Sequence, residues 1–139
     1  MFAEALVCLA LNIYHEARDQ PFIGQVAVAQ VVMHRVRDDR YPDDVCDVVF
    51  QGPTYSWKPD FPIRNRCQFS WYCDGKSDRT PDKGAWNNAL TIAKGVYYND
   101  IDDFVEGATH YHATYVLPDW AESKTPVIQI GEHVFYRWE

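Results

Sequence analysis

The sequence predicts an α+β domain in which helices come first and a small antiparallel sheet comes last. Three observations predict it. Apolar residues recur at steps of three and four from Leu6 to Ala17 and again from Trp86 to Tyr97, the spacing of one helical face. Beyond Gly107 the pattern changes to short runs rich in β-branched and aromatic residues. Gly131-Glu132 then separates the last two runs, as a two-residue hairpin turn requires. With 139 residues and no internal repeat or linker, the chain is read as one domain spanning 1–139.

In chain order, the first helix runs from Glu4 to Arg18 on Leu6, Leu9, Ile13 and Ala17, and Pro21 prevents its continuation. Gly24 to Val36 has the valines of a strand, but its length without Pro favours a buried helix. Asp43 reads as the N-cap of a short helix ending at Phe50. From Gln51 to Arg79, the spread of Gly52, Pro53, Pro59, Pro62 and Gly75 predicts a long irregular loop, and a loop of that length in a compact domain is usually functional. Thr80-Pro81 opens the next helix, with Trp86, Leu90, Ala93 and Tyr97 on one face. Strands follow at Thr109 to Tyr115, Val127 to Ile130 and His133 to Trp138.

Composition excludes several classes. No apolar stretch approaches the ~20 residues a bilayer requires, so membrane insertion is not expected. A formal charge of −7 with no basic stripe argues against nucleic acid. The 21 aromatic residues (5 Trp, 9 Tyr, 7 Phe) exceed what a small core needs, and aromatic faces in loops suit sugar rings as well as packing. Of the four cysteines, Cys8 lies in an apolar helical pattern and reads as a buried thiol. Cys67 and Cys73 are placed to close a short disulfide, with Cys46 as a competing partner for either.

The chemistry concentrates at Tyr14-His15-Glu16-Ala17-Arg18. Glu16 falls at the border of the first helix's apolar face and in its last turn. Partial burial and the negative end of the helix dipole both disfavour its carboxylate. A glutamic acid kept protonated is what glycosidic cleavage requires, because the leaving oxygen must receive a proton. The competing reading is a surface glutamate paired with Arg18 or Arg35. A zinc site is a third possibility: H-E-x-x-H fails because Asp19 stands where the second histidine is needed, which leaves His15, His110 and His112 as a loose set. The acids Asp100, Asp102, Asp103 and Glu106 lack calcium-loop spacing and read as a solvated face.

Four blocks resemble the SleB/CwlJ cell wall hydrolase family. They are Tyr14 to Arg18 with Gly24 to Val32 and His34-Arg35-Val36; Tyr41-Pro42 through Val49; Cys67-Gln68-Phe69-Ser70-Trp71; and Trp120 with Ile130 to Tyr136. His34 departs from the asparagine usual in the family, which bears on helix packing. The resemblance implies a lysozyme-like or lytic transglycosylase-like fold and cleavage of peptidoglycan between MurNAc and GlcNAc. Glu16 would serve as the single acid and base, with no metal or other cofactor, and the product would be 1,6-anhydro-muramyl. Gln68, Phe69, Ser70, Tyr111, His112 and Trp120 are the expected groove residues. A hydrolytic muramidase, with Asp19 or Asp74 as second carboxylate, is the alternative, and a zinc peptidase or amidase a more distant one. Peptidoglycan is the expected partner of a monomer acting at the periplasm or envelope. The start of the sequence does not resemble a secretory signal, so a phage-type lysin released through another protein's membrane lesion, or an excised domain, is expected.

Overall fold

The computed structural model describes residues 2–139. Helix α1 (Phe2–Ala17) is followed by α2 (Phe22–Arg37), the short α3 (Val45–Val49) and α4 (Lys83–Tyr97). Strands β1 (Thr54–Tyr55) and β2 (Lys58–Pro62) form a small ribbon, and β3 (His110–Ala113), β4 (Thr125–Ile130) and β5 (His133–Arg137) form an antiparallel sheet in the order β3-β5-β4. Single 3₁₀ turns occupy Ser70–Cys73 and Asp119–Ser123. No helix among the described residues is long and apolar enough to cross a membrane.

Helix α2 is the axis of the fold. It is buried at every position from Gly24 to Met33, as a helix apolar all round must be. One flank (Val26, Ala29, Val32) meets Leu9, Ile13 and Tyr14 of α1 and Ile92 and Val96 of α4. The other flank (Ala27, Val28, Val31) packs with Val105, Ala108 and Phe135 beneath the sheet. Its polar residues are paired: Gln30 Nε2 donates to the Asp102 carbonyl at 2.8 Å while its oxygen accepts from the Phe104 amide at 3.0 Å. His34 extends the same seam, its Nδ1 donating to the Ala108 carbonyl at 2.7 Å and its Nε2 lying 3.1 Å from Asp103. The unusual histidine therefore ties α2 to the segment that leads into β3.

Several boundaries differ from the sequence reading. The cap of α3 is Asp44, whose carboxylate accepts from the Asp47 amide, not Asp43. Helix α4 starts at the Asp82 cap rather than at Thr80-Pro81, because Asp82 accepts from the Ala85 amide while its own amide donates to the Tyr14 hydroxyl. The expected loop from Gln51 to Arg79 contains the β1/β2 ribbon and a 3₁₀ turn. Pro59 and Pro62 read as breakers because proline donates nothing to a ladder, yet a two-stranded ribbon has only edges and tolerates them. The β4/β5 hairpin turns at Gly131 with φ +56°. A Cβ there would sit 2.5 Å from Gln20 Oε1, which instead accepts from the Glu132 amide at 2.9 Å. The tip of the hairpin is thus docked on the corner that follows α1.

The cysteines also differ from expectation. Cys8 is not a free thiol: it is joined to Cys46, tying α1 to α3 with a Cα separation of 5.2 Å. The face of α1 that carries Cys8 is the one α3 packs against, and helical periodicity alone does not reveal that neighbour. Cys67 and Cys73 form the other bridge. By loop-closure entropy, the longer crosslink stabilises by about 4 kcal/mol and the shorter by about 2 kcal/mol. Replacing Cys8 and Cys46 together by serine should lower the unfolding free energy by about 3–4 kcal/mol in urea melts. A loss well below that, with the Cys67–Cys73 bridge intact, would show that the α1–α3 crosslink is dispensable.

Candidate active site

Glu16 sits at the C-terminal end of α1, half-buried, where the helix meets the inner face of the sheet. Strand alternation places Tyr111 and Phe135 on that inner face and His110, His112 and Tyr136 on the outer one. Tyr111 packs against both hydrophobic clusters. Its hydroxyl donates to Glu16 Oε1 at 2.6 Å.

Arg35 lies behind this pair. It is buried in the last turn of α2, with Nε donating to the Thr109 carbonyl at 2.7 Å and Nη1 to Gln68 Oε1 at 3.3 Å. The guanidinium also lies 4.9 Å from the centre of the Tyr41 ring and 5.1 Å from that of Phe69. Gln68 and Phe69 therefore act on the site through Arg35. Asn12, one turn before Glu16 and fully buried, accepts from Trp71 Nε1 at 2.9 Å. Trp71 in turn stacks on His15 with ring centres 4.5 Å apart, and His15 Nε2 donates to the Asp78 carbonyl at 3.1 Å.

Burial raises the Glu16 pKa above its ordinary value, while the Tyr111 hydrogen bond and the Arg35 charge pull it down. Burial wins, so the protonated acid is favoured and its ionised form still has two groups prepared to receive it. The Tyr111 hydroxyl is pushed far up, by burial first and then by Glu16 itself. It stays a neutral donor. A cleft of about 260 Å³ opens over Glu16, lined by His15, Arg18, Asp19, Tyr115, Glu132 and His133 among others.

The structure brings Tyr111 into contact with Glu16, and Gln68 and Phe69 one layer behind. Ser70 only opens the 3₁₀ turn and is exposed. His112 and Trp120, expected at the groove, are on the far face of the sheet: His112 flanks Tyr111 in the strand and must point away from it, and the 3₁₀ turn sets Trp120 against His112 there. There the rings of His110, His112 and Tyr136 pack around Trp120 at centroid distances of 5.0–5.7 Å. His112 Nδ1 donates to the Ala113 carbonyl at 2.7 Å, which leaves Nε2 to accept from the Tyr136 hydroxyl at 2.8 Å. Burial, with Arg35 and Lys124 nearby, lowers the His110 pKa to about 4. His15 and the His110/His112 pair thus lie on opposite sides of the sheet and do not converge as a zinc set. Of the suggested second carboxylates, Asp19 lines the cleft, whereas Asp74 accepts from the Lys76 amide in the loop.

The sequence reading missed Asn12, Tyr115, Glu132 and His133, and gave Arg35 only a pairing role. Two of these had a signal: Asn12 interrupts the apolar run of α1 four residues before Glu16, hence on its face, and Arg35 follows the apolar run of α2 in its basic last turn. The others reach the cleft only through the hairpin and the turn after β3, which local pattern does not report.

Residues 19–136 match the family model described as Cell Wall Hydrolase. Glu16 lies just outside that span, so its role rests on the geometry above. The chain is 31% identical over 128 residues to the spore cortex-lytic enzyme of Halalkalibacterium halodurans, covering 91% of this chain and 33% of the relative. The corresponding enzyme of Oceanobacillus iheyensis is 28% identical over 127 residues, covering 91% of this chain and 39% of the relative. The chain thus spans between a third and two-fifths of the length of these relatives. The solved catalytic domain of the germination-specific lytic transglycosylase SleB from Bacillus anthracis superposes with a TM-score of 0.68 at 25% identity, covering 96% of this chain and 93% of that one.

A carboxyl whose pKa is raised by folding costs stability once it ionises. Between the ordinary value and the raised one, the folded state holds more protons than the unfolded, so stability falls as pH rises through that window. Glu16→Gln removes this cost while keeping an acceptor for Tyr111. The variant should therefore gain thermal stability relative to wild type as pH is raised from about 4 to about 8. A constant or shrinking difference across that range would mean that Glu16 is not destabilised by burial.

Proposed function

The chain belongs to the cell wall hydrolase family, and from that membership we propose that it cleaves the glycan strand of peptidoglycan at the MurNAc-β-1,4-GlcNAc bond as a lytic transglycosylase. The observation that carries this reading is the half-buried Glu16 held by Tyr111 under an open cleft. Protonated Glu16 gives its proton to the bridging oxygen as the bond to the muramyl C1 breaks. The resulting carboxylate, received by the Tyr111 hydroxyl and the Arg35 charge, then removes the proton of the muramyl 6-hydroxyl. That oxygen closes on C1, and Glu16 regains its acid form with no water consumed. A tethered nucleophile of this kind has a high effective concentration.

The alternative is hydrolysis, which needs a second carboxylate to serve the other face of the sugar. Asp19 and Glu132 line the cleft, which keeps that reading open, but both are exposed and neither has the sheltered setting of Glu16. One sheltered carboxyl beside two exposed ones favours the intramolecular route. The substrate sets the place of action at the cell wall, in the periplasm or envelope, and the domain acts there as a monomer.

On purified sacculi, Glu16→Gln should fold and lose at least ~100-fold in rate, the low end for removing a general acid. Mass spectrometry of the wild-type digest should find muropeptides lighter by one water than hydrolysis products and resistant to borohydride. Near-normal lysis by the folded variant would remove Glu16 from the mechanism. Uniformly reducible termini would make water the acceptor and turn attention to Asp19 and Glu132.

A further inference from the structure

A second depression adjoins the catalytic cleft. It has a volume of about 340 Å³ and is lined by Tyr14, His15, Arg18, Ser77, Arg79 and Pro81. His15 and Arg18 line both spaces, so a ligand seated over Glu16 passes directly into it. Two arginines, Arg18 and Arg79, line this depression, and among the described residues neither has a carboxylate within 4.0 Å. The chain as a whole carries 20 acidic residues against 13 Lys and Arg. Elsewhere on its surface Arg40 is paired with Asp38 and Arg137 with Glu139.

The nearby acids are engaged otherwise. Asp82 caps α4, Asp74 accepts from the Lys76 amide, and among the described residues neither these carboxylates nor that of Asp78 lies within 4.0 Å of Arg18 or Arg79. The walls are fixed as well. The Arg18 guanidinium lies 4.8 Å from the centre of the Tyr14 ring, with Nη1 donating to the Tyr14 carbonyl at 3.4 Å. The Tyr14 hydroxyl anchors the Asp82 amide at 3.1 Å, and the Arg79 amide donates to Ser77 Oγ at 3.2 Å.

We propose that Arg18 and Arg79 form an anion subsite beside Glu16 that takes a carboxylate of the muramyl side chain. This deepens the reading above and rests on it. A muramyl unit differs from its neighbour by a lactyl ether that bears a carboxyl group, either free or extended into a peptide stem with carboxylates of its own. A domain of net charge −7 repels such a strand on average. Two unpaired guanidiniums next to the cleft supply the local attraction, and their planar forks match carboxylate geometry. The subsite would orient the strand so that the muramyl unit, not its neighbour, presents C1 to Glu16.

The test uses binding, not turnover. On a Glu16→Gln background, Arg18→Gln with Arg79→Gln should weaken cosedimentation with purified sacculi by about fivefold to tenfold, as expected for two exposed charge-assisted contacts, and should flatten its salt dependence. A control pair that removes the same charge elsewhere, Lys94→Gln with Arg37→Gln, should bind like the parent. An amidase removes the stems and leaves the lactyl group as a free carboxylate: a persisting difference shows that the subsite takes that group, and a lost one assigns it to the stem. Sacculi with their carboxyls converted to amides should show no difference. The proposal is overturned if the double variant binds like its parent, if the control pair loses as much, or if the loss survives amidation. These outcomes are independent of whether the wild type releases anhydro products, which decides the catalytic reading separately.

Discussion

The site depends on one contact between the two halves of the fold, the 2.6 Å hydrogen bond from Tyr111 on β3 to Glu16 at the end of α1. Neither group is ordinary without the other. Glu16 is drawn out of water by the sheet that Tyr111 helps to hold in place, and Tyr111 owes part of its raised pKa to Glu16. The contact forms because α2 is packed on both flanks, α1 and α4 on one side and the sheet on the other. That fixes the distance between the end of α1 and the inner face of β3.

The electrostatic setting follows from the same packing. Arg35 is a buried cation without a direct ion pair among the described residues, held by a carbonyl, an amide oxygen and two aromatic rings. Such a charge is costly unless its partners fix it, and its field reaches both Glu16 and Tyr111. Burial favours the acid that donates a proton, whereas Tyr111 and Arg35 favour the carboxylate left behind. In the mechanism proposed for Glu16, a group that gives and retakes a proton in one cycle needs that balance, because either force alone would trap one protonation state. On the outer sheet face burial instead lowers the His110 pKa to about 4, and His112 Nε2 lies 2.8 Å from the Tyr136 hydroxyl.

Much of this was legible in the chain. The α+β order, the boundaries of α2 and the Gly131 turn follow from periodicity and glycine placement, and the position of Glu16 at the edge of an apolar stripe already implied a sheltered carboxyl. The resemblance to cell wall hydrolases covered almost the whole sequence and pointed to the same residue. What escaped was long-range. Cys8 looked like core until α3 packed against it. His112, expected at the groove, follows Tyr111 directly, and alternation in a strand sends such a neighbour to the other face, where the 3₁₀ turn places Trp120 against it. Tyr115, Glu132 and His133 are brought to the cleft by the docking of the hairpin tip on Gln20, a contact between residues 112 positions apart.

The central claim is that burial keeps Glu16 protonated above the ordinary carboxylate range while Tyr111 restrains the shift. Carbon-13 NMR titration of the glutamate side-chain carboxyls, with Glu16 identified by its loss in Glu16→Gln, measures this directly. The midpoint should lie above the usual 4.5 and move higher still in Tyr111→Phe, where the hydrogen bond to the charged form is gone. A midpoint at or below 4.5, or one that falls in Tyr111→Phe, would contradict the account.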